Sequence, residues 1–436
     1  MRYAEAVVIG GGQAGLAMSR CLSERGIAHV VLERGRVAER WRSERWDSLR
    51  LLTPNWLSRL PGFQYDGPDP DGYMTMPQVV EYLEKFAVQS GVPVEIGTTV
   101  VGLERDGALY RVETDRGTWA APAVVIATGY CDTPFVPDMA RRLPDDIVQM
   151  VPSAYRNPGQ LPEGGVLVVG ASASGIQLAD ELRASGRPVT VAVGRHMRLP
   201  RRYRGKDILW WMDRMGIFDQ RGDEVYDLEV SRQQPSLQLV GRPDHASLDL
   251  PALRRRGVRL AGRLLDVDGA TATFDDDLMA TAAASDSKLA MLLGRIDEFI
   301  VRSGLEAEAG PAPAFEPSWP EVGDGPLSLD LRAEGITTVL WATGFKRRYP
   351  WLKVPVLDAR GEIRHDGGVT EAPGLYVMGL QFLRRRKSAF IDGVADDARE
   401  LTVHLEAHLR FRGRVFDLTA PRPSSGPTFQ RKMAPC

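Results

Sequence analysis

Short apolar runs recur along the chain, and several of them end in glycine and are followed by a stretch with helical periodicity. The first unit has a predicted strand at residues 5–9, a helix at 13–25 and a strand at 29–32. The second has a strand at 165–169, a helix at 175–185 and a strand at 188–193. Strand, helix and strand in this order predict two Rossmann-like units, each with parallel strands.

Two further apolar strands, at residues 123–126 and 336–341, each run into Ala-Thr-Gly. One precedes the second unit and one follows it, so the second unit is predicted to be inserted in the first domain. The expected limits are a first domain at 1–160, an inserted domain at 161–335, a return to the first domain at 336–416 and a flexible tail at 417–436. Helices are also predicted at 73–89, 287–302 and 395–411, and strands between 92 and 125.

Composition narrows the class of protein. Lys and Arg total 55 against 57 for Asp and Glu, so no excess charge points to nucleic acid or to a membrane surface. Three cysteines are too few for a disulfide framework and favour a reducing cytoplasm. No apolar run reaches the length of a membrane span. The sequence thus predicts a cytoplasmic α/β protein that acts on a small molecule.

A glycine motif of the form G-x-G-x-x-G follows the first predicted strand. Gly10 permits the tight turn, Gly12 lets the backbone approach a pyrophosphate, and Gly15 lets the helix pack against the strand. The positive end of the helix faces the phosphates. Glu33 ends the next strand, where its carboxylate can accept hydrogen bonds from both ribose hydroxyls. These residues predict a site for a dinucleotide without a 2′-phosphate.

The second glycine motif, at residues 170–175, has Ser172 in place of the middle glycine. Serine is small, so the backbone can still come near a pyrophosphate. The strand that follows leads not to an acid but to Arg195, which can bind the 2′-phosphate of NADPH through two hydrogen bonds. NADPH is therefore favoured over NADH. More positive charge is expected nearby from His196, Arg198, Arg201 and Arg202.

The two motifs, about 160 residues apart, resemble those of the flavin-containing monooxygenase superfamily, and the bacterial single-component branch in particular. Matching positions are Trp41 and the segments at 46–54, 128–134, 155–158, 341–345 and 373–379. The resemblance covers most of residues 4–410. The resemblance implies a class B flavoprotein monooxygenase-like fold with two Rossmann-like domains, the NADPH domain inserted in the FAD domain.

The resemblance also implies roles for individual residues. Those expected to bind the ADP half of FAD are Gly10, Gly12, Gly15, Glu33 and Arg34. Around the rest of this cofactor it places Trp41 and Thr53 near the flavin, Val101 near the adenine, and Gly129 and Gly379 at the border. Those expected to hold NADPH are Gly170, Ser172, Ser174, Gly175 and Arg195.

The activity implied is an FAD-dependent, NADPH-consuming monooxygenase that inserts one oxygen atom from O₂ into a small molecule through a C4a-(hydro)peroxyflavin. N-, S- and Baeyer–Villiger-type oxygenation all stay open, as does a homodimer. No catalytic side chain is assigned, because the flavin carries the chemistry.

One departure from the family pattern keeps alternatives open. The family has a histidine where Val151 stands, four residues before Tyr155, in a loop that couples nicotinamide binding to flavin chemistry. An NADPH-dependent flavin reductase or oxidase without oxygen transfer is therefore the alternative, and a redox-sensing FAD protein is a third.

Other signals favour packing or solvation over chemistry. His404 and His408 share a helix face, but no third metal ligand is evident, so no metal is expected. Cys131 has no C-x-x-C partner and is interpreted as a structural thiol. The basic run at 254–256 is interpreted as solvated charge, while that at 384–387 stays open as an anion site. Trp210, Trp211 and Met212 could line a substrate pocket or pack in the core.

Overall fold

The computed structural model describes residues 1–419, the side chains of residues 413–419 excepted. The tail predicted at 417–436 therefore lies, from residue 420 onward, outside the described residues. Two mainly parallel sheets organise the described part of the chain, with smaller sheets attached to each. The α/β fold predicted from the sequence is confirmed.

The first sheet has seven strands, and its centre consists of apolar strands that are covered on both faces. Its strands, in spatial order, are His365–Asp366, Val369–Thr370, Leu375–Val377, Ala123–Ile126, Ala6–Ile9, His29–Leu32 and Val94–Glu95. Ala6–Ile9 and Ala123–Ile126 have the same sequence and pair in parallel, residue for residue. All four residues of each strand are buried, as continuous apolar runs in a parallel sheet predict.

The second sheet has five parallel strands: Val148–Met150, Ile336–Trp341, Gly165–Val169, Val189–Ala192 and Arg259–Ala261. Alternate residues of its central strand face two different core clusters, Val166 and Val168 on one side and Leu167 and Val169 on the other. In sequence this sheet lies between the strands Ala123–Ile126 and Leu375–Val377 of the first sheet, so the predicted insertion is confirmed.

The strand Ile336–Trp341 does not begin the return to the first domain, and that expectation is wrong. It pairs with Gly165–Val169 at the centre of the second sheet. The chain crosses back only afterwards, where Phe345–Lys346 pairs antiparallel with Thr133–Pro134. Strands of the first sheet resume at His365–Asp366.

Helices cover both sheets, and smaller sheets flank them. The helices are Gln13–Glu24, Glu39–Ser43, Met76–Gln89, Ala173–Ala184, Ile208–Arg214, Leu228–Arg232, Leu250–Arg255, Leu278–Arg302, Trp319–Val322 and Val394–Thr419. A four-stranded sheet is formed by Arg2–Tyr3, Gly117–Ala121, Leu109–Thr114 and Val100–Asp106. A three-stranded sheet is formed by Leu264–Asp268, Thr271–Phe274 and Ser328–Asp330.

The helix predicted at 73–89 begins at Met76 because a capping box fixes its start. Thr75 and Gln78 cap the first turn reciprocally, and Pro77 occupies an early position where no backbone hydrogen is needed. The segment just before it, including Tyr73, is thereby left extended beside residues 50–55, with which it shares backbone hydrogen bonds.

Candidate functional site

A cleft of about 490 Å³ lies at the carboxyl edge of the first sheet, where the central strands end. This is the edge at which parallel α/β sheets bind ligands, and the volume is in the range of ligand pockets. The sequence-predicted residues that line it are Gly10, Gly12, Glu33, Arg34, Trp41, Gly129 and Gly379. These seven residues come from four separate stretches of the chain.

The first glycine turn has the geometry that a phosphate-binding loop requires. Gly10 has φ of 114°, and a Cβ on it would lie 2.6 Å from the carbonyl oxygen of Ala127. A Cβ on Gly15 would overlap the carbonyl oxygen of Gly10, so helix and strand approach as closely as the backbone permits. Gly12 differs, because a Cβ there would meet no atom of residues 1–419 within 4 Å. Its missing side chain leaves open the space beside the first turn of the helix.

The Glu33 carboxylate is fixed by the backbone at the other end of this turn. The backbone amides of Gly11 and Gly35 donate to it at 2.6 and 2.8 Å, and the residue is only 9% exposed. Each carboxylate oxygen keeps a further lone pair, so hydroxyl donors in the cleft can still be accepted. The helix beginning at Gln13 has no acidic residue in its first turn, which leaves its positive end available to an anion.

Several residues that line the cleft are not predicted from the sequence. Arg40 pairs with Asp132 and donates to the carbonyl oxygen of Cys131, and Arg45 lies over the Trp41 ring at 5.3 Å. Other unpredicted lining residues include Thr98, Thr99, Arg348 and Trp351. The last two belong to the segment that returns from the second sheet, so no local pattern in the sequence marks them as cleft residues.

Thr53 and Val101 are not among the residues lining the cleft. The Val101 side chain is 54% exposed, whereas its neighbour Val100 lines the cleft. Successive side chains of a strand point to opposite faces, so a shift of one residue reverses the assignment. The side chain that faces the cleft is therefore that of Val100, not Val101. Thr53 is half-buried in the segment beside the cleft wall.

The second glycine turn repeats the first closely. Gly170 has φ of 112°, and a Cβ on it would lie 2.5 Å from the carbonyl oxygen of Ala342. A Cβ on Gly175 would overlap the carbonyl oxygen of Gly170. Ser172 precedes its helix with φ −80° and ψ −172°, against −87° and −175° for Gly12. Each glycine turn therefore packs against the Ala-Thr-Gly of the neighbouring strand in its own sheet.

Arg195 lies just after the strand Val189–Ala192. It is exposed, and its side chain makes no hydrogen bond or ion pair with the described residues. Ser174 lies half-buried in the first turn of the helix Ala173–Ala184, which likewise has no acidic residue in that turn. The turn, the helix end and Arg195 together suit an anionic dinucleotide.

The other basic residues expected to assist Arg195 are mostly engaged elsewhere. Arg198 pairs with Asp249 at 3.0 Å and Asp286 at 2.7 Å, and Arg201 is fully buried against Asp207. Burial lowers the pKa of His196, which favours the neutral ring. Of the residues expected to add positive charge close by, Arg198 and Arg201 are therefore paired with acids, whereas Arg202 is exposed.

The loop that departs from the family pattern packs within the second domain. Val151 packs against the core of the second sheet, and its carbonyl oxygen accepts from the amide of Tyr155 at 3.1 Å. Tyr155 is fully buried, and its hydroxyl donates to Glu181 at 2.9 Å. The position that is histidine in the family is thus an apolar packing position in this chain.

Three of the four basic residues at 384–387 form ion pairs with acidic side chains of the same chain, which argues against an anion site there. Arg384 and Arg385 pair with Glu400 and Asp397, and Lys387 pairs with Asp219, Asp392 and Asp396. Arg386 instead donates to Gln220 at 2.8 Å. These contacts hold the segment on the helix that begins at Val394.

The buried carboxyl of Asp397 predicts a pH dependence of stability. Burial raises its pKa to about 6, although Ser388, Arg385 and Arg384 act in the opposite direction. The folded state then binds its proton more tightly than the unfolded state, so stability is full below about pH 4 and falls as pH rises towards 6. Asp397→Asn removes this loss, and the variant should gain up to about 3 kcal/mol relative to wild type between about pH 4 and 7. Urea unfolding of both proteins at several pH values in this range gives the free energies of unfolding. The same dependence of this free energy on pH in wild type and variant would contradict the prediction.

The aromatic pair at 210–211 with Met212, the histidine His404 and the thiol of Cys131 all have structural surroundings. Trp211 and Met212 are buried in a core cluster, with Trp210 partly buried beside them. The His404 ring lies within hydrogen-bond distance of the Tyr376 hydroxyl, at 3.0 Å. Burial raises the pKa of the Cys131 thiol, which makes it a poor nucleophile although it lines the cleft. Within the described residues, no group of three His, Cys, Asp or Glu side chains is arranged to hold a metal ion.

Comparison with known proteins gives a consistent picture. Residues 7–208 match the family model described as pyridine nucleotide-disulphide oxidoreductase. An uncharacterized CzcO-like oxidoreductase of Geobacillus kaustophilus is 33% identical over 401 residues, which cover 91% of this chain and 97% of that protein. The indole-3-pyruvate monooxygenase YUCCA1 of Oryza sativa subsp. japonica is 35% identical over 195 residues, 43% of this chain and 47% of the plant protein.

A solved structure matches over nearly the whole chain. It is a flavin-containing monooxygenase from Stenotrophomonas maltophilia, with a TM-score of 0.63 and 21% identity over 94% of this chain and 99% of the other. At this identity the match speaks for the fold. Among the described residues, no helix has the length and apolar character to cross a membrane.

Proposed function

Because the chain belongs to the flavin-containing monooxygenase superfamily, whose members use FAD and NADPH, we propose that this oxidoreductase takes electrons from NADPH and transfers one oxygen atom from O₂ to a small organic substrate. The observation that carries the proposal is the pair of matching glycine turns, each beside an Ala-Thr-Gly, in two sheets of one chain. Two such turns suit two dinucleotides, as electron transfer between a nicotinamide and a flavin requires.

The cleft of the first sheet is the proposed FAD site. The open space beside Gly12 admits the pyrophosphate, and the Glu33 carboxylate accepts hydrogen bonds from the adenosine ribose. Thr99 and Val100 border the adenine end, and Trp41 and Gly379 border the opposite part of the cleft. When bound, FAD supplies the redox chemistry, and the chain supplies orientation, charge and exclusion of water.

NADPH is proposed to bind at the second turn. Ser172 and the helix that begins at Ala173 face the pyrophosphate, and Arg195 has free donors for the 2′-phosphate. Within this proposal the second domain runs between the paired crossings at Thr133–Pro134 and Phe345–Lys346, instead of 161–335.

A reductase or oxidase without oxygen transfer is the second candidate, and Val151 is the observation that favours it. The position packs into the second core, so it offers the nicotinamide no polar contact. If the nicotinamide is held less firmly, reduced flavin is less protected from water, and electrons are lost to H₂O₂. An enzyme that is tightly coupled only with its true substrate is then expected.

Anaerobic mixing of the purified holoenzyme with NADPH or NADH tests the shared first step. We expect bleaching of the flavin absorbance by NADPH at a much lower concentration than by NADH. A flavin that stays oxidised with both nucleotides would contradict the proposed function in either form.

A further inference from the structure

Residues 45–52, called here the joint segment, run from the cleft wall into the second domain and back. Arg45 lines the cleft, while the neighbouring Trp46 is 5% exposed and belongs to the core of the second sheet. Leu51 returns to the core of the first sheet. A wall of the proposed FAD site is therefore built partly from packing in the other domain.

One end of the joint segment is held by hydrogen bonds to the loop that follows Val151. The amide of Asp47 donates to the carbonyl oxygen of Arg156 at 2.9 Å, and the Arg156 guanidinium donates to the carbonyl oxygen of Arg45 at 2.7 Å. The Asn157 side chain donates to the Asp47 carboxylate at 2.7 Å. These contacts fix the segment where it leaves the cleft.

The other end, at Leu52, is held by hydrogen bonds from a buried polar cluster. The fully buried guanidinium of Arg201 donates to the carbonyl oxygen of Leu52 at 2.7 Å and to Asp207 at 2.5 Å. The second oxygen of Asp207 accepts from the Tyr73 hydroxyl at 2.9 Å. Burial raises the pKa of Tyr73, which keeps its hydroxyl protonated. His245 Nδ1 lies 3.2 Å from the Tyr73 hydroxyl oxygen. Because that hydroxyl gives its proton to Asp207, the ring N–H donates to the hydroxyl oxygen.

The stretch that carries His245 reaches back to the second glycine turn. Gln238, fully buried, donates to the carbonyl oxygen of Ala171 in that turn at 2.6 Å. A Cβ on Gly241 would overlap the carbonyl oxygen of Leu51 and lie 2.8 Å from Tyr73 Cβ. Residues 238–245 thus form a strap between the second glycine turn and the joint segment.

We propose that Tyr73, Arg201, Asp207 and His245 are positioning residues, which fix the joint segment relative to the second glycine turn so that the two bound dinucleotides meet in register. The inference rests on the proposed function, since it assigns a role in electron transfer between the two sites. Hydride transfer is sensitive to displacements of about 1 Å, which can cost on the order of a hundredfold in rate. A buried, charge-assisted network that joins four chain segments limits such displacements.

Tyr73→Phe tests this inference, because it removes one hydroxyl and keeps the ring that packs beside Arg201 and Gly241. In the holoenzyme we expect unchanged flavin content, an NADP⁺ dissociation constant within about twofold of wild type, and flavin reduction at saturating NADPH slowed about tenfold or more. Two readouts are independent of turnover. The change that NADP⁺ causes in the flavin absorption spectrum should shrink, and amide hydrogen exchange in residues 45–52 should accelerate.

Tyr110→Phe is the matched control, since Tyr110 is equally buried and donates to the carbonyl oxygen of Pro373 within the first domain. It should leave all five measurements unchanged. His245→Asn is a second variant should Tyr73→Phe fold poorly, because asparagine tolerates the left-handed backbone at this position, φ 53°. Wild-type reduction rates and spectra in both Tyr73→Phe and His245→Asn would overturn the inference, and so would equal losses in the Tyr110 control. A wild-type flavin that NADPH cannot reduce would instead overturn the proposed function, and the inference with it.

Discussion

Gly12→Val is expected to yield a folded protein that has lost its flavin. The backbone at Gly12 has φ −87° and ψ −175°, which valine adopts readily. In the described part of the chain, no neighbouring atom lies within 4 Å of the new Cβ. The fold should therefore tolerate the change. The two methyl groups would occupy the space proposed for the pyrophosphate, and lost contacts to the backbone amides should weaken FAD binding by about a hundredfold or more. The ratio of flavin to protein absorbance and FAD titration of the apoprotein measure this.

Two other glycines provide controls for this experiment. Gly294 lies in the helix Leu278–Arg302 with equally open space around its Cβ, so Gly294→Val should retain full flavin. Gly15→Val should instead damage the fold, because its Cβ would overlap the carbonyl oxygen of Gly10. A Gly12→Val protein with wild-type flavin content would refute the placement of FAD in this cleft.

Arg195→Gln should shift cofactor preference from NADPH towards NADH. The exposed guanidinium pairs with none of the residues that the structure describes, so stability should change little. Loss of a charge-assisted, bidentate contact to the 2′-phosphate should raise KM for NADPH by about ten- to a hundredfold, while KM for NADH stays nearly constant. Steady-state oxidation of both nucleotides gives the two constants.

Arg202→Gln controls for the general effect of removing a positive charge, because Arg202 is also exposed and lies seven residues further on. It should raise KM for NADPH much less than Arg195→Gln does. Equal increases for NADPH and NADH in Arg195→Gln would show that the residue does not read the 2′-phosphate.

Local patterns were sufficient to predict the two glycine turns, because each turn is set by nearby residues. The strands His29–Leu32 and Ile336–Trp341 have the bounds predicted from their apolar runs. The resemblance to the flavin-containing monooxygenase superfamily is confirmed by the relatives and the fold. Ile336–Trp341 was nevertheless assigned to the wrong sheet. The Ala-Thr-Gly that follows it serves the second glycine turn, and that partnership is visible only in the pairing of distant strands.

Side-chain partners far apart in sequence account for most other differences. Arg198 pairs with the buried Asp286, which lies 88 residues further along the chain, and no local pattern marks that aspartate as its partner. The resemblance includes most of the joint segment. The hydrogen bonds that hold its two ends, however, join residues more than a hundred positions apart. Assignments of this kind require the three-dimensional arrangement of both domains.

Reaction of the holoenzyme with NADPH and isotopically labelled O₂, in the presence of a panel of amines, sulfides and ketones, tests the central claim most directly. The account predicts a product that carries a single labelled oxygen atom for each NADPH consumed, with H₂O₂ as the main product only when no substrate is accepted. Complete recovery of the electrons as H₂O₂ across the whole panel, with no labelled product, would contradict oxygen transfer and support the reductase or oxidase instead.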